Sequence, residues 1–153
     1  MLSLEPPKRV WPKILLASIP LFLFGALGYM ALNGEIAQIR QMAVTWLILN
    51  AALAGIGVIL ARGHPLSALV GALASPITSL NPTLAAGWFA GYTQFKLDSP
   101  TVRDTKDFLA LDDISLFWKN RVGKVLMVTA MGNVGSMAGA WIAGGAIIGI
   151  LIG

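Results

Sequence analysis

Long apolar runs alternate with short polar breaks along this chain, and the breaks set the expected architecture. Residues 14–32 and 43–61 are each apolar over about 19 residues, long enough for a helix to cross a bilayer's hydrocarbon core. A third run begins at Val122 and gives an expected span over 122–143. The tail beyond it is surplus, either extending a tilted helix or breaking at Gly144-Gly145. Pro20 kinks the first run without forbidding it, because neighbouring helices can satisfy the freed carbonyl. Residues 65–92 are different. They are apolar but interrupted by ASPITSLNPT, residues 74–83. Pro76 and Pro82 each lack a backbone N–H and clash with the preceding turn, so one continuous helix is not expected there. Asn81-Pro82 reads as a helix start, with asparagine as cap and proline preset at the first helical position. The pattern predicts two half-helices, 65–75 and 82–92, each about 15–17 Å long. They meet at a polar elbow near mid-membrane.

The polar segments are short but for one. Residues 1–13, with Pro6, Pro7 and Pro12, form a basic lead-in with Trp11 at the interface. A signal peptide competes for this start, but the run that follows is long for one and no small-x-small cleavage site appears. Asn33-Gly34 is a turn, and 34–41 is expected as a short polar connection. Trp46 marks the outer end of the second span; Trp88, Phe89 and Tyr92 form an interfacial aromatic cluster. The long polar segment is 93–121. Asp98-Ser99-Pro100 reads as a cap with proline in the first turn. In ISLFWKNR, acids precede and bases follow, and Ile114, Phe117 and Trp118 make one stripe, so a short helix on the membrane surface is expected.

Composition agrees with a membrane assignment. Of 153 residues 56% are hydrophobic and 12% charged, half the charge of an ordinary soluble domain. The net charge of +4 could suggest nucleic acid, but in so apolar a chain the bases mark the cytoplasmic side, and no nucleic-acid partner is expected. With no cysteine and one histidine, no disulfide, thiolate site or conventional zinc centre is expected, and no cofactor. Charge also separates two topologies for 65–92. If the segment enters and returns, Lys8, Arg9, Lys13, Arg62, Lys96, Arg103, Lys106, Lys119, Arg121 and Lys124 share the cytoplasmic side and Arg40 alone is outside. If it crosses, the bases divide far less sharply. The expected fold is therefore an all-α membrane protein with three transmembrane helices, a re-entrant helical hairpin and a short interfacial helix. The N-terminus and loop 93–121 are cytoplasmic and the C-terminus is outside.

Candidate chemistry concentrates at the elbow. Pro76, Thr78, Ser79, Asn81, Pro82 and Thr83 either bind a small solute or ion, as broken helices in transporters do, or seal the backbone groups that the prolines free. Sealing needs the same residue types. In the last span Gly132, Gly135, Ser136 and Gly139 form a ladder of small residues suited to close helix or oligomer packing. Asn133 lies about three turns into that span and should face protein, bonding either the elbow or a symmetry mate. His64 is a pH-sensitive gate or, more simply, an interfacial residue beside Arg62. Trp118 and Arg121 are expected at the interface, with Arg121 snorkelling or pairing weakly with Asp112 or Asp113. The aspartates of 93–121 read as a solvated face with no calcium-loop spacing.

The run GHPLSALVGALASPITSLNPTLAAGWFAGYTQFKLDSPTVRDTKDF, then FWKNRVGKVLMV and GNVGS, resembles the carboxy-terminal membrane domain of the TraB/PrgY family, named for pheromone shutdown and common in archaea and some bacteria. The resemblance covers about residues 62–139, and the amino-terminal spans match only in kind. Family members carry a separate soluble domain with hydrolase-like GxxH signatures. Nothing here matches it, since His64 is the sole histidine and no glycine lies three residues before it. The resemblance implies a non-catalytic membrane module that oligomerises, a dimer being favoured. It would anchor or serve a soluble TraB-type domain. A channel or transporter-like core is the rival reading. An intramembrane protease is weak, because Ser79 has no lysine or histidine placed at depth to activate it.

Overall fold

The computed structural model describes residues 25, 28–81, 84–110 and 114–152, and every regular element among them is helical. The elements are α1 (Ile36–Leu60), α2 (Pro65–Thr78), α3 (Ala86–Asp98), α4 (Val102–Leu109), α5 (Leu116–Lys119) and α6 (Arg121–Ile152). Most of the expected first span, 14–32, lies outside the described residues. Met1–Arg40 and Gln41–Gly153 are separate compact units.

In the first unit, residues 28–32 are helical and end at the expected Asn33-Gly34 turn. Gly34 takes φ +80°, its N–H donates to the Ala31 carbonyl at 3.2 Å, and Glu35 N–H donates to Met30 at 3.0 Å. This left-handed C-terminal motif satisfies carbonyls that the helix end would otherwise orphan. The connection after it is shorter than expected. Ile36-Ala37-Gln38-Ile39-Arg40-Gln41 contains no helix breaker, so α1 starts at Ile36 instead of near Ala43.

In the second unit α6 is the axis. Along one side α1 runs antiparallel to it, with Gly57 backed on Met131, Leu53 on Gly135 and Asn50 on Gly139. α2 and α3 form an antiparallel hairpin: Gly71 faces Ala90, and the His64 N–H donates to Gln94 Oε1 at 2.7 Å. The open ends of the hairpin therefore lie together, at the Arg121 end of α6, where Lys124 pairs with Asp98 at 3.6 Å. The apolar core is built of small side chains, Val58, Ala61, Ala68, Ala90 and Val128, with Met127 and Met131 against it. The large apolar side chains point outward instead, Leu73, Ile77 and Trp141 being 67%, 70% and 78% exposed.

Further helix boundaries differ from expectation. α2 continues through Pro76 to Thr78, because the proline falls in the last turn, where it removes a single helical bond. α3 begins at Ala86, not at Pro82, and runs on to Asp98; Asn81 instead makes a turn, its N–H donating to Thr78 and its carbonyl accepting from Leu84. Pro82 and Thr83 lie outside the described residues. Asp98 thus closes α3 and does not cap α4. Ser99 follows it in the left-handed conformation (φ 43°), and Thr101 opens the next helix. The expected helix over ISLFWKNR shrinks to the four residues of α5, and α4 is the longer surface helix. Phe108 of α4 packs edge-on against Phe117, centroids 5.2 Å apart, tying both to the start of α6. α6 itself passes Gly144-Gly145 without a break.

The α1–α2 corner yields a test. Arg62 holds the left-handed position (φ 57°) and Gly63 follows it, its N–H donating to Val58 at 2.9 Å. Glycine is needed at 63 for space, since a Cβ there would sit 2.6 Å from Val58 Cγ1 and 2.8 Å from Val128 Cγ2. Arg62→Gly is expected to raise stability by about 0.5–1 kcal/mol through relief of the left-handed strain. Gly63→Ala should lower it, both read from thermal midpoints in detergent.

Candidate functional site

The closed end of the hairpin carries the densest polar chemistry in the bundle. Ser75 and Ser79 are one turn apart on α2, so both hydroxyls face the same way. Ser75 Oγ donates to Ser136 Oγ of α6 at 2.8 Å, and Ser79 Oγ lies 3.0 Å from the same oxygen. Ser79 Oγ also donates to Asn50 Oδ1 of α1 at 2.7 Å. Asn50 Nδ2 in turn donates to the Trp46 carbonyl at 3.0 Å, and Trp46 Nε1 donates to the Pro76 carbonyl at 3.1 Å. Asn50 and Ser75 are fully buried and Ser136 nearly so. Three helices are thus joined by one chain of hydrogen bonds inside an apolar shell.

The end of α2 explains why the indole is there. The Leu80 N–H bonds the Ile77 carbonyl and not that of Pro76, which takes the Trp46 N–H instead. Thr78 Oγ1 donates to the Ser75 carbonyl at 3.2 Å and is likewise spent on backbone. On the other arm α3 starts at Ala85-Ala86 with no capping side chain of its own. Asn133 supplies the missing acceptor from α6, its Oδ1 taking the Gly87 N–H at 2.7 Å. A side chain at Gly87 would strike the Thr129 carbonyl and Asn133 itself, so glycine is what lets the amide reach.

Other expected site residues are placed as follows. Gly132 packs on Gly87 and Val58, Gly135 on Leu53 and Ala54, and Gly139 on Asn50 and Leu49, so this ladder is occupied by the chain's own helices. His64 is exposed and caps α2, its Nδ1 accepting the Leu66 N–H at 3.1 Å, with Pro65 at the first helical position. Trp118 is partly exposed on α5, and Arg121 is the exposed first residue of α6. Asp112 and Asp113 lie outside the described residues. Lys124 pairs with Asp98.

Sequence reasoning overlooked Asn50, Ser75, Gln94 and Asn120. Asn50 was detectable as the one amide within the apolar run 43–61, and Ser75 as the residue one turn before Ser79. Gln94 is fully buried, accepting the His64 N–H and donating to Asp98 Oδ2 at 2.7 Å. Asn120 caps α6 through the Val122 N–H at 2.8 Å and reaches the Asp104 carbonyl at 2.8 Å.

Among the described residues no cluster of three or more His, Cys, Asp or Glu side chains is placed to hold a metal. One carboxyl is clearly perturbed. Thr101 donates both its hydroxyl and its N–H to Asp104 Oδ2, each at 2.7 Å, and these bonds hold the Asp104 carboxyl below its ordinary value, Arg121 and Arg103 adding to the effect. The folded chain therefore holds its proton less tightly than the unfolded one. The capping box stabilises α4 above the ordinary aspartate value of about 3.9 and loses that contribution as pH falls through the lowered one. Amide exchange in α4 should accelerate below about pH 4, and the acceleration should vanish in Asp104→Asn.

Residues 11–152 match the model described as "TraB family protein, C-terminal domain". The chain is 30% identical over 156 residues to the uncharacterized protein MJ1365 of Methanocaldococcus jannaschii, an alignment taking in 99% of this chain and 39% of that protein. The chain thus spans about two fifths of the length of this curated relative. No solved structure matches it. On the extent of the family match, which takes in all six helices, the chain belongs to the TraB family and corresponds to its C-terminal domain.

Proposed function

We propose that this chain is the membrane-embedded, non-catalytic module of a TraB-family protein, which associates with further copies and anchors or serves a soluble domain. The carrying observation is an inverted distribution of side chains. Ile36–Leu60 and Arg121–Ile152 are long and apolar enough to cross a membrane, yet only 22% and 17% of their most apolar stretches are buried. A core helix of a soluble protein would hide its large residues. Here Asn50, Ser67, Ser75, Gln94 and Ser136 are inside with the glycines, and leucines and isoleucines are outside. Lipid accounts for that arrangement: helices in a bilayer associate through small residues and interhelical hydrogen bonds.

On this reading α2 and α3 enter from the side of Arg121 and return to it. α2 is about 21 Å long, roughly two thirds of the hydrocarbon thickness, so its tip stops short of the far face. The polar cluster seals that tip, which is why broken backbone is tolerated at such depth. α4 and α5 lie along the cytoplasmic surface, and the C-terminus is outside. Because Gly132, Gly135 and Gly139 are already covered by α1 and α3, contacts between copies fall to other faces.

The chain has no cysteine, so single cysteines report cleanly. Residues 62 and 97, replaced singly by cysteine in oriented vesicles, should both react with an impermeant maleimide from the same side. Labelling from opposite sides would overturn the hairpin. The conduction reading draws on the same hydroxyl and amide groups. Its test is solute and ion flux in liposomes, wild type against Asn81→Ala and Thr78→Val; flux that these variants abolish would favour it over anchoring.

A further inference from the structure

Where α3 ends and α6 begins, the surface turns inward around a cavity of about 310 Å³. Its walls include Phe95 of α3, Val102 and Thr105 of α4, and Val122, Val125 and Leu126 of α6. The lining is mostly hydrocarbon, although this is the polar end of the bundle. Cations share faces with its walls. Lys106 is four residues after Val102 on α4, and Arg121 four before Val125 on α6, so each lies on the same helix face as a lining residue.

The acids nearby are engaged. Asp98 is held by Gln94 and Lys124, Asp104 by Thr101, and Asp107 lies 3.8 Å from Arg103. Lys96 sits over the Tyr92 ring, 5.5 Å from its centroid. Among the described residues Lys106, Lys119 and Arg121 form no ion pair, although Arg121 is near enough to Asp104 to lower its carboxyl. From the end of α3 to the start of α6 the described bases Lys96, Arg103, Lys106, Lys119, Arg121 and Lys124 outnumber the acids Asp98, Asp104 and Asp107, so an apolar hollow here suits a molecule with an apolar chain and an anionic head.

We propose that this groove holds one anionic phospholipid, an upper stretch of its hydrocarbon chain between α4 and α6 and its phosphate drawn to Arg121 and Lys106. The inference rests on the membrane reading above and adds a partner to it. At the cytoplasmic boundary of a bilayer, a hollow under a surface helix meets lipid before anything else, and basic pockets between membrane helices favour anionic headgroups. The groove would fix α4 against α6 and give the module a preference for anionic membranes.

The test is native mass spectrometry of the purified chain in detergent with equal phosphatidylglycerol and phosphatidylcholine. One phosphatidylglycerol should be retained in preference. Arg121→Gln and Lys106→Gln, both at exposed positions, should each lower that preference about fivefold, as expected for one cation near a lipid surface. Thr105→Trp, which fills the groove from its exposed wall, should remove the bound lipid, while Leu73→Trp on an outward face should leave it. Equal retention of the two lipids, or a Thr105→Trp variant that keeps its lipid, would overturn the proposal. So would a Thr105→Trp variant that changes the copy number instead, since the groove would then belong to a second chain. Alkaline carbonate extraction separates the two levels. A chain that stays with membranes but shows no lipid preference fails this inference alone, and one that is released fails the membrane reading itself.

Discussion

Gly135→Leu is expected to abolish the folded bundle, while Gly145→Leu ten residues along the same helix leaves it intact. Any Cβ at 135 would collide with the Leu53 carbonyl and approach Ala54 Cα to 3.0 Å, and both are backbone of a long helix. Neither can swing aside as a side chain does, so α1 and α6 must separate along their length. Overpacking a tight interface costs about 1–3 kcal/mol even where side chains can adjust, and here they cannot. Gly135→Ala should therefore lower stability by about 3 kcal/mol and Gly135→Leu by more than the bundle can bear. Gly145 has nothing within 4 Å, so alanine there should gain up to about 1 kcal/mol in helix propensity. Thermal unfolding in detergent, followed by circular dichroism and gel filtration, reads both. Equal midpoints for Gly135→Ala and Gly145→Ala would show that α1 does not pack on α6 in this register.

Asn50→Leu should be damaging too, for the opposite reason. The leucine approximates the volume but withdraws the acceptor of Ser79 and the donor to the Trp46 carbonyl. Ser79 and the Trp46 carbonyl each lose one partner but keep another, Ser136 and the helical donor of α1 respectively, so each loss is that of one hydrogen bond, about 0.5–1.5 kcal/mol. Measured interhelical hydrogen bonds in membranes average about 0.6 kcal/mol, because the unfolded chain in lipid also finds partners. A net loss of about 1–2 kcal/mol follows. The network makes a sharper statement than the single variant. Ser79→Ala added to Asn50→Leu should cost less than its effect alone, with a coupling of about 1 kcal/mol, because the hydroxyl has already lost one partner. Additivity within error would mean that Asn50 and Ser79 do not bond.

Much of this architecture was legible in the chain, and its failures share a cause. The polar stretch 74–83 announced a break between two helices because two prolines in apolar surroundings cannot be hidden. The elbow's hydroxyls read as a seal or a binding site, and the hydrogen bonds of Thr78 and Ser79 go to the Ser75 carbonyl, Asn50 and Ser136. Helix ends were the weak point. Pro76 looked like a stop, but its neighbour's indole lies thirty residues away at Trp46, a distance no local pattern records. Asn81-Pro82 carried the signature of a helix start, and the real start at Ala86 is capped from α6 by Asn133. Asp98 was misread as the cap of α4 for a related reason: Thr101 can open that helix as well, and its capping box with Asp104 does so. Tertiary partners override local propensity where the local signals are close to balanced.

The unbroken run of α6 has a mechanical corollary. Arg121–Ile152 makes a rod of about 48 Å, against a hydrocarbon slab of about 30 Å. On the membrane reading proposed above, such a rod leans or lets its outer part emerge, and the lean follows the thickness of the membrane around it. Among the described residues a Cβ at Gly144, Gly145 or Gly149 meets nothing within 4 Å, whereas Gly132, Gly135 and Gly139 are backed on α1 and α3. On that reading the outer part of the rod is a lever: thinning the bilayer tips it sideways, and thickening stands it upright.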